Sequence, residues 1–191
     1  MAIALLTPVK RPFLLAFVLA CGAWPLQCAT LERLSLDDMI AKSTAIVRAK
    51  VTGSYAAWSR RVIYTHYAIQ VSERFKAGSQ GSMDVAVPGG AVNNQRQTFA
   101  GAPEFQPGDE CVFFLWTGKS GLTQVIGLTQ GLFSIPPGAS ADPVATRPAS
   151  GELMLAHGSS VPVKNETLVM KVSELRSRIA ATLAAAGSAA Q

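Results

Sequence analysis

The stretch Tyr64–Gly78, YTHYAIQVSERFKAG, decides the fold, because its side chains alternate in character and its end reads as a turn. Alternation with a period of two predicts a strand that buries one face. The inward face would carry Ile63, Thr65, Tyr67, Ile69 and Val71, and the outward face Tyr64, His66, Ala68 and Gln70. His66 is therefore expected on the face away from the core.

The segments around this strand extend the same pattern. AIVRAKV at 45–51 alternates, and MDVAVPGG at 83–90 ends at a proline and two glycines. CVFFLWT at 111–117 is apolar on both faces, which indicates a strand covered on both sides. LTQVIGLTQGLFSI at 122–135 supplies one bent strand or two short ones. About five closely spaced strands predict a mostly β fold, a small five-stranded OB-type antiparallel barrel over residues 30–135.

Helical patterns flank the predicted barrel. Ser35 and Asp38 in LSLDDMIAKS form a capping-box signature for a short N-terminal helix. KVSELRSRIAATLAAAG predicts a C-terminal helix within 166–191, with Ser173 as its cap and an alanine-rich tail that frays. One stripe of this helix carries Leu175, Ile179 and Leu183. Residues 136–165 form a loop excursion, in which ELMLA and VPVK add a small edge strand.

The first 29 residues have the composition of a secretory signal peptide. Lys10 and Arg11 precede a short apolar run at 12–24, and small residues follow in CGA and QCA. The run is too short to span a bilayer, which takes about 20 apolar residues. The sequence therefore predicts export to the periplasm or the medium and no transmembrane segment after signal removal. VLAC at 18–21 is a loose lipoprotein site, so a lipid anchor at Cys21 is an alternative.

The cysteines depend on where the signal is cut. Cleavage after Ala23 would leave Cys28 and Cys111, which could pair in an oxidising compartment. Cleavage after Ala29 would leave Cys111 alone in an apolar run. Three cysteines exclude a dense disulfide scaffold and a four-cysteine zinc site.

Charge and motifs argue against nucleic-acid binding and against an enzyme. Beyond residue 29, 15 Lys and Arg stand against 12 Asp and Glu, a net charge of +3 that is scattered along the chain. The sequence contains no nucleophile elbow, no His-Glu-x-x-His, no phosphate-binding glycine loop and no calcium loop. We expect no cofactor, no metal and no catalytic residue. A hydrolase that uses His157 with Ser159 or Ser160 stays as an alternative.

A binding surface is the remaining hypothesis. The irregular piece from Gly89 to Asp109 is long, and loops on rigid barrels often carry recognition. The predicted binding residues are Tyr55, Trp58, Tyr64, Asn94, Arg96, Phe99 and Phe105. The alternative is that these aromatic side chains only cover the barrel ends. The partner would be an unknown protein or an envelope polysaccharide.

Several of these motifs resemble a known module. AKSTAIVRAKV (41–51), YAIQVSERFKAG (67–78) and MDVAVPGG (83–90) are similar to the opening of the netrin-like module, best known from the tissue inhibitors of metalloproteinases. FQPGDECVFFL (105–115) is similar to its later turn and strand. The chain also resembles a group of uncharacterised secreted bacterial proteins. The resemblance covers about 30–135 and implies an OB fold and a secreted binding module.

The resemblance also implies an alternative function, inhibition of a metalloprotease. In the inhibitors, the first cysteine of the mature chain binds the zinc of the protease through its free amine and carbonyl, and a disulfide holds it. Cys28 is the residue of this chain that matches that position, with Cys111 as its disulfide partner.

Overall fold

The structure is a computed structural model that describes residues 30–77, 81–138 and 140–189. The predicted signal peptide over 1–29, with its cleavage positions, lies outside the described residues. Cys21 and Cys28 lie there as well, and with them the predicted lipid anchor and the partner of the predicted disulfide.

The described residues form thirteen strands, two α-helices and one 3-10 turn. The strands are β1 (Thr30–Glu32), β2 (Ala45–Ser59), β3 (Val62–Lys76), β4 (Gly81–Pro88), β5 (Gly90–Val92), β6 (Gln95–Gln97), β7 (Glu110–Thr117), β8 (Thr123–Val125), β9 (Leu132–Ile135), β10 (Val144–Arg147), β11 (Leu153–Leu155), β12 (Pro162–Val163) and β13 (Leu168–Lys171). The helices are α1 (Leu36–Lys42) and α2 (Val172–Ala189), and the 3-10 turn is Leu128–Gly131.

Eight strands form one sheet in the order β13-β10-β9-β7-β2-β3-β4, with β8 paired to β7 beside β9. A mostly β fold with a short N-terminal helix and a C-terminal helix is confirmed. The segment 122–135 forms two short strands, β8 and β9, which is one of the two predicted alternatives. The sheet has more strands than the five predicted, because β10 and β13 extend its edge. β4 lies against β8, yet among the described residues no hydrogen-bonded ladder joins them.

Two hydrophobic cores lie on the two faces of β7. Cys111, Phe113 and Leu115 belong to the first core, to which β2, β3 and β4 also contribute side chains. Val112 and Phe114 belong to the second core, which lies under the helices. The prediction that CVFFLWT is covered on both sides is therefore confirmed for Cys111 to Leu115, whereas Trp116 and Thr117 at its end are exposed. The alternation of β3 is confirmed too, since Ile63, Tyr67 and Ile69 are buried.

The helix α1 begins at the predicted capping box. The Asp38 backbone N–H donates to Ser35 Oγ at 3.0 Å, and the Ser35 backbone N–H donates to Asp38 Oδ2 at 3.2 Å. These two bonds satisfy amides that the first helical turn leaves without partners. Met39 and Ile40 then enter the second core.

The helix α2 covers the second core. Leu175 and Ile179 are buried and Leu183 is partly buried, as the predicted stripe requires. Arg178 is paired with Asp37 of α1, with Nη2 2.6 Å from Oδ2. The helix therefore holds α1 against the sheet through both apolar packing and an ion pair.

The start of α2 differs from the prediction. The helix begins at Val172, so Ser173 lies inside it and does not cap it. Asp142, from the loop before β10, accepts hydrogen bonds from the Ser173 backbone N–H at 2.9 Å and from Ser173 Oγ at 2.7 Å. A remote carboxylate thus satisfies the first turn. The helix continues to Ala189, where the sequence predicted a frayed tail.

The predicted loop excursion over 136–165 contains three strands. β11 and β12 coincide with ELMLA and VPVK, which confirms that edge. They form a separate small sheet, in which β11 lies between β1 and β12. β10 was not predicted. It joins the main sheet between β9 and β13, and its Ala145 is fully buried in the second core.

Candidate functional site

The β2–β3 hairpin projects beyond the rest of the sheet. β2 pairs with β7 only from Ala45 to Lys50, whereas its pairing with β3 continues to Ser59. The pairing of β3 with β4 stops at Tyr64. We call Tyr55–Tyr64 together with the small hairpin β5–β6 the distal end.

The β5–β6 hairpin is fixed onto one face of this projection. Gln97 accepts from the Ile63 backbone N–H at 2.7 Å and donates to the Arg61 backbone oxygen at 3.1 Å. Gly90 has a φ of +135°, and a Cβ there would lie 2.6 Å from Thr65 Oγ1. Only glycine allows the backbone of β5 to approach so closely.

Three of the predicted aromatic binding residues are largely exposed. The exposed fractions are 57% for Tyr55, 41% for Trp58 and 39% for Phe99. Cross-strand register places Tyr55 opposite His66 and Trp58 opposite Ile63, so alternation puts these two aromatic residues on opposite faces of the hairpin. Tyr64 is half-buried and shares the face of Tyr55.

The distal end also carries arginines without ion pairs. Arg60 and Arg61 form the turn of the β2–β3 hairpin, and Arg96 lies on β6. None of the three has a carboxylate within ion-pair distance among the described residues. No Asp or Glu occurs in 53–72 or in 85–103. Elsewhere, Arg48 pairs with Glu110, Arg176 with Glu73 and Arg178 with Asp37.

Arg96 and Phe99 meet in a cleft of about 150 Å³, whose walls also include Tyr67 and Glu104. Asn94 is exposed, and its place as a binding residue stays a prediction. Asn93 and Asn94 have φ values of 48° and 61°, and they form the two-residue turn between β5 and β6. Left-handed backbone at both positions selects asparagine, so the turn geometry explains Asn94 without a ligand.

Phe105 is a core residue and not a surface residue, which corrects its prediction as a binding residue. It is 8% exposed and packs edge-on against Tyr67, with ring centroids 4.9 Å apart. Phe113 lies on its other side at 5.5 Å. The sequence predicted that the loop carrying Phe105 would bind a partner, but Phe105 packs in the first core.

His66 forms a cluster with Tyr55 and Asp84 on the outward face. Its Nδ1 lies 2.7 Å from Asp84 Oδ1, and its ring stacks on Tyr55 with centroids 4.8 Å apart. Tyr55 Oη donates to Asp84 Oδ2 at 3.3 Å. A carboxylate that orients a histidine resembles part of a catalytic triad. However, no Ser, Thr or Cys is hydrogen-bonded to His66 in the described parts of the chain.

His157, Ser159 and Cys111 are the other groups considered for catalysis. His157 Nδ1 pairs with Glu32, and Ser159 Oγ accepts from the Val161 backbone N–H. Cys111 is a buried thiol, and burial raises its pKa to about 11, so it stays protonated and unreactive. In the residues that the structure covers, no cluster of His, Cys, Asp and Glu is arranged to hold a metal ion.

Two further concave regions were not predicted from the sequence. One, of about 340 Å³, is lined by Glu104, Asp109, Glu110 and Cys111 at the open end of the first core. The other is a shallow depression where the exposed Trp116 stands beside Lys42 and Gln124. Trp116 lies in an apolar run that gave no sign of exposure.

Within the described residues, no helix combines the length and the apolar character that crossing a bilayer requires. No protein-family model matches the chain, and neither the curated proteins nor the solved structures yielded a similar protein.

Proposed function

We propose that this chain is an exported, non-catalytic binding protein that recognises an anionic envelope polysaccharide at its distal end. The observation that carries the proposal is the coincidence of unpaired arginines with exposed aromatic side chains on one projection. Guanidinium groups match carboxylate and phosphate in a planar, two-bonded geometry.

The backbone of the turn supports this assignment. Arg60 has a φ of 57°, a left-handed conformation that glycine or asparagine adopts at lower cost. An arginine at a position that suits glycine is locally unfavourable for folding. Strained residues concentrate where function needs them. The side chain of Arg60 is thus better explained by recognition than by stability.

The shape of the distal end favours a polysaccharide over a protein. Stable protein interfaces bury about 800 Å² on each partner around an apolar centre. Here Tyr55 and Trp58 stand on opposite faces of a narrow hairpin, so they do not form one flat patch. A flexible chain of sugars can follow such an edge, since aromatic faces attract the weakly positive C–H groups of a ring.

Retention on immobilised polymers tests the proposal. We expect the purified chain to bind polygalacturonate or dextran sulfate, to release at high salt, and to pass through neutral dextran. Arg60→Gln/Arg61→Gln/Arg96→Gln should weaken binding about tenfold or more, because charge-assisted hydrogen bonds are lost. Lys50→Gln/Lys164→Gln/Lys171→Gln removes the same charge from other exposed positions and should bind nearly as wild type.

Three outcomes would change the assignment. Equal losses in the two triple variants would mean that only net charge matters. Selective binding to poly-L-glutamate would indicate an acidic protein partner instead. No retention on any anionic polymer would refute the proposal.

The proposed fold is an OB-type barrel formed by β2, β3, β4, β7 and the β8–β9 pair. The support is that β8 lies against β4, where a barrel of this kind would close. Slow amide exchange along both β4 and β8 would support closure, and fast exchange along their facing edges would contradict it.

Export rests on the signal-like composition of residues 1–29. N-terminal sequencing of the chain recovered from outside the cytoplasm tests it. A start after Ala23 or after Ala29 is expected, and a lipid-modified Cys21 would identify the lipoprotein form instead.

A further inference from the structure

Arg147 is a buried guanidinium without a carboxylate partner. It is the last residue of β10, 5% exposed, and its guanidinium lies over the Phe133 ring at 5.8 Å from the centroid. Its Nη1 donates to the Gln130 backbone oxygen at a long 3.4 Å and lies 3.9 Å from Met39 Sδ. Among the described residues, no Asp or Glu lies within ion-pair distance of it.

This arrangement leaves a positive charge with little compensation. Arginine stays protonated in proteins, and a buried charge without a counter-charge is costly. Burial lowers the pKa of Arg147, and Arg33 lowers it further. The carbonyl bond and the aromatic ring offset only part of the cost, since neither carries a full negative charge.

Two nitrogen atoms of Arg147 remain available to a ligand. Neither Nε nor Nη2 has a hydrogen-bond partner in the described part of the chain. The fully enclosed side-chain N and O atoms without partners there are Thr129 Oγ1 and Glu152 Oε2. Nε and Nη2 of Arg147 are not among these enclosed atoms, although the residue is only 5% exposed.

Gln130 links the backbone on both sides of Arg33 to Arg147. Its side chain accepts from the Leu34 backbone N–H at 2.9 Å and donates to the Glu32 backbone oxygen at 3.0 Å. These bonds hold the residues on both sides of Arg33, while the Gln130 backbone oxygen holds Arg147. Arg33 is exposed and has no ion pair among the described residues.

The nearest acidic side chain on this segment is already engaged. Glu32 Oε1 pairs with His157 Nδ1 and accepts from the Gly158 backbone N–H at 3.3 Å. Its carboxylate therefore turns toward the loop after β11 and does not neutralise the two guanidinium groups.

We propose that Arg147 and Arg33 form a binding site for a phosphate group, free or esterified. Two guanidinium charges without a carboxylate suit an anion that carries nearly two negative charges at neutral pH, as phosphate does. The free edge of Arg147 supplies a paired set of donors, and Arg33 closes over the anion from the surface. The site is separate from the distal end, so it does not depend on the polysaccharide proposal.

Titration calorimetry at constant ionic strength and pH 7.5 tests the site, with inorganic phosphate as the probe and acetate and chloride as controls. We expect wild type to bind phosphate and Arg33→Gln to bind about tenfold more weakly or worse. Arg60→Gln removes an equally exposed, unpaired arginine at the distal end and should leave phosphate binding unchanged. Glycerol 3-phosphate is a second probe, which distinguishes free phosphate from a phosphate ester as the ligand. If it binds more tightly than inorganic phosphate, the natural ligand is an ester.

Arg147→Met gives a second and opposite readout. An apolar side chain of similar length should abolish phosphate binding and yet keep or raise the Tm in phosphate-free buffer, because it removes an uncompensated buried charge. If this variant does not fold, Arg147→Lys keeps the charge without the paired donors and should lose most of the affinity. Wild-type phosphate affinity in Arg33→Gln would overturn the proposal. It would also be overturned if phosphate raised the Tm of the wild-type protein no more than chloride does.

Discussion

The two halves of the β2–β3 hairpin share a ladder but differ in what covers them. From Ala45 to Val51, β2 has β7 beside it and a core on each face, and most of its side chains are buried. From Thr52 to Ser59, the same strand has lost β7, and no side chain is fully buried. The covered half therefore contributes to the hydrophobic cores, and the uncovered half exposes its side chains to solvent.

The chemistry of the two halves follows the same division. The covered half uses alanine, valine and isoleucine, with Arg48 neutralised by Glu110. The distal half carries Tyr55 and Trp58, followed by Arg60 in the turn, and all three are exposed. Among the described residues, the carboxylate that contacts one of them is that of Asp84, which accepts a hydrogen bond from Tyr55. One continuous strand can therefore combine a structural segment with a recognition segment.

Removing a large side chain from β7, the strand paired with the covered half, should have the largest effect. Phe113→Ala in β7 would leave a cavity in the first core, since the ring is fully buried against Phe105. We expect a loss of about 3–5 kcal/mol in the free energy of unfolding, measured with urea. A loss below about 1 kcal/mol would contradict the division between the halves.

Gly90→Ala should have an intermediate effect, because Gly90 lies where β5 packs against β2 and β3 in the distal half. The new Cβ would meet Thr65 Oγ1, and alanine would be strained at the φ of +135°. We expect a loss of about 1–3 kcal/mol in stability together with weaker polymer binding. Gly53→Ala is the matched control, since its Cβ would enter open space and stability should barely change.

Acid should weaken the contacts that hold α1 and α2 on the second core. Hydrogen bonds from the Ser173 side chain and then its backbone lower the pKa of Asp142, and bonds from Arg178 and then Thr182 lower that of Asp37. A lowered folded-state pKa stabilises the fold above the unfolded value of about 4, and the contribution disappears as pH falls through the folded value.

Urea midpoints should therefore be flat from about pH 5 to 7 and fall below about pH 4. Asp142→Asn should lower the midpoint at neutral pH and flatten this acid limb. Glu174→Gln removes a carboxylate from the same helix without touching the Asp142 contacts, and its acid limb should follow wild type. A wild-type acid limb in Asp142→Asn would show that the remote cap adds nothing.

Arg60→Gly should have the smallest effect on stability and the opposite sign. Glycine relieves the left-handed turn, so we expect the free energy of unfolding to rise by up to about 1 kcal/mol while polymer binding falls. A large destabilisation would mean that Arg60 supports the fold and is not kept for recognition.

Local patterns predicted much of the fold. The alternation in β3, the doubly apolar β7 and the capping box at Ser35 each depend on neighbours in sequence. β10 was missed because it has only four residues inside a proline-rich segment and is stabilised by pairing with β9 and β13. The Asp142 cap of α2 was missed for the same reason, since its partner lies 31 residues away.

The site was predicted less well than the fold. Exposure of Tyr55, Trp58 and Phe99 agrees with a surface role, but residue type alone did not separate them from Phe105, which is buried. The unpaired state of Arg60, Arg61 and Arg96 depends on which carboxylates come near in space. Spacing along the sequence does not predict which carboxylates come close in the fold. It also does not predict that Arg147 is buried without a carboxylate partner.

Hydrogen exchange with and without bound polygalacturonate tests whether recognition lies at the distal end. We expect slower exchange confined to 55–64 and 90–99, with 45–51 and 110–117 already slow and unchanged. Protection that appears instead around the acidic cleft at Glu104 and Asp109, or around Trp116, would contradict the assignment of recognition to the distal end.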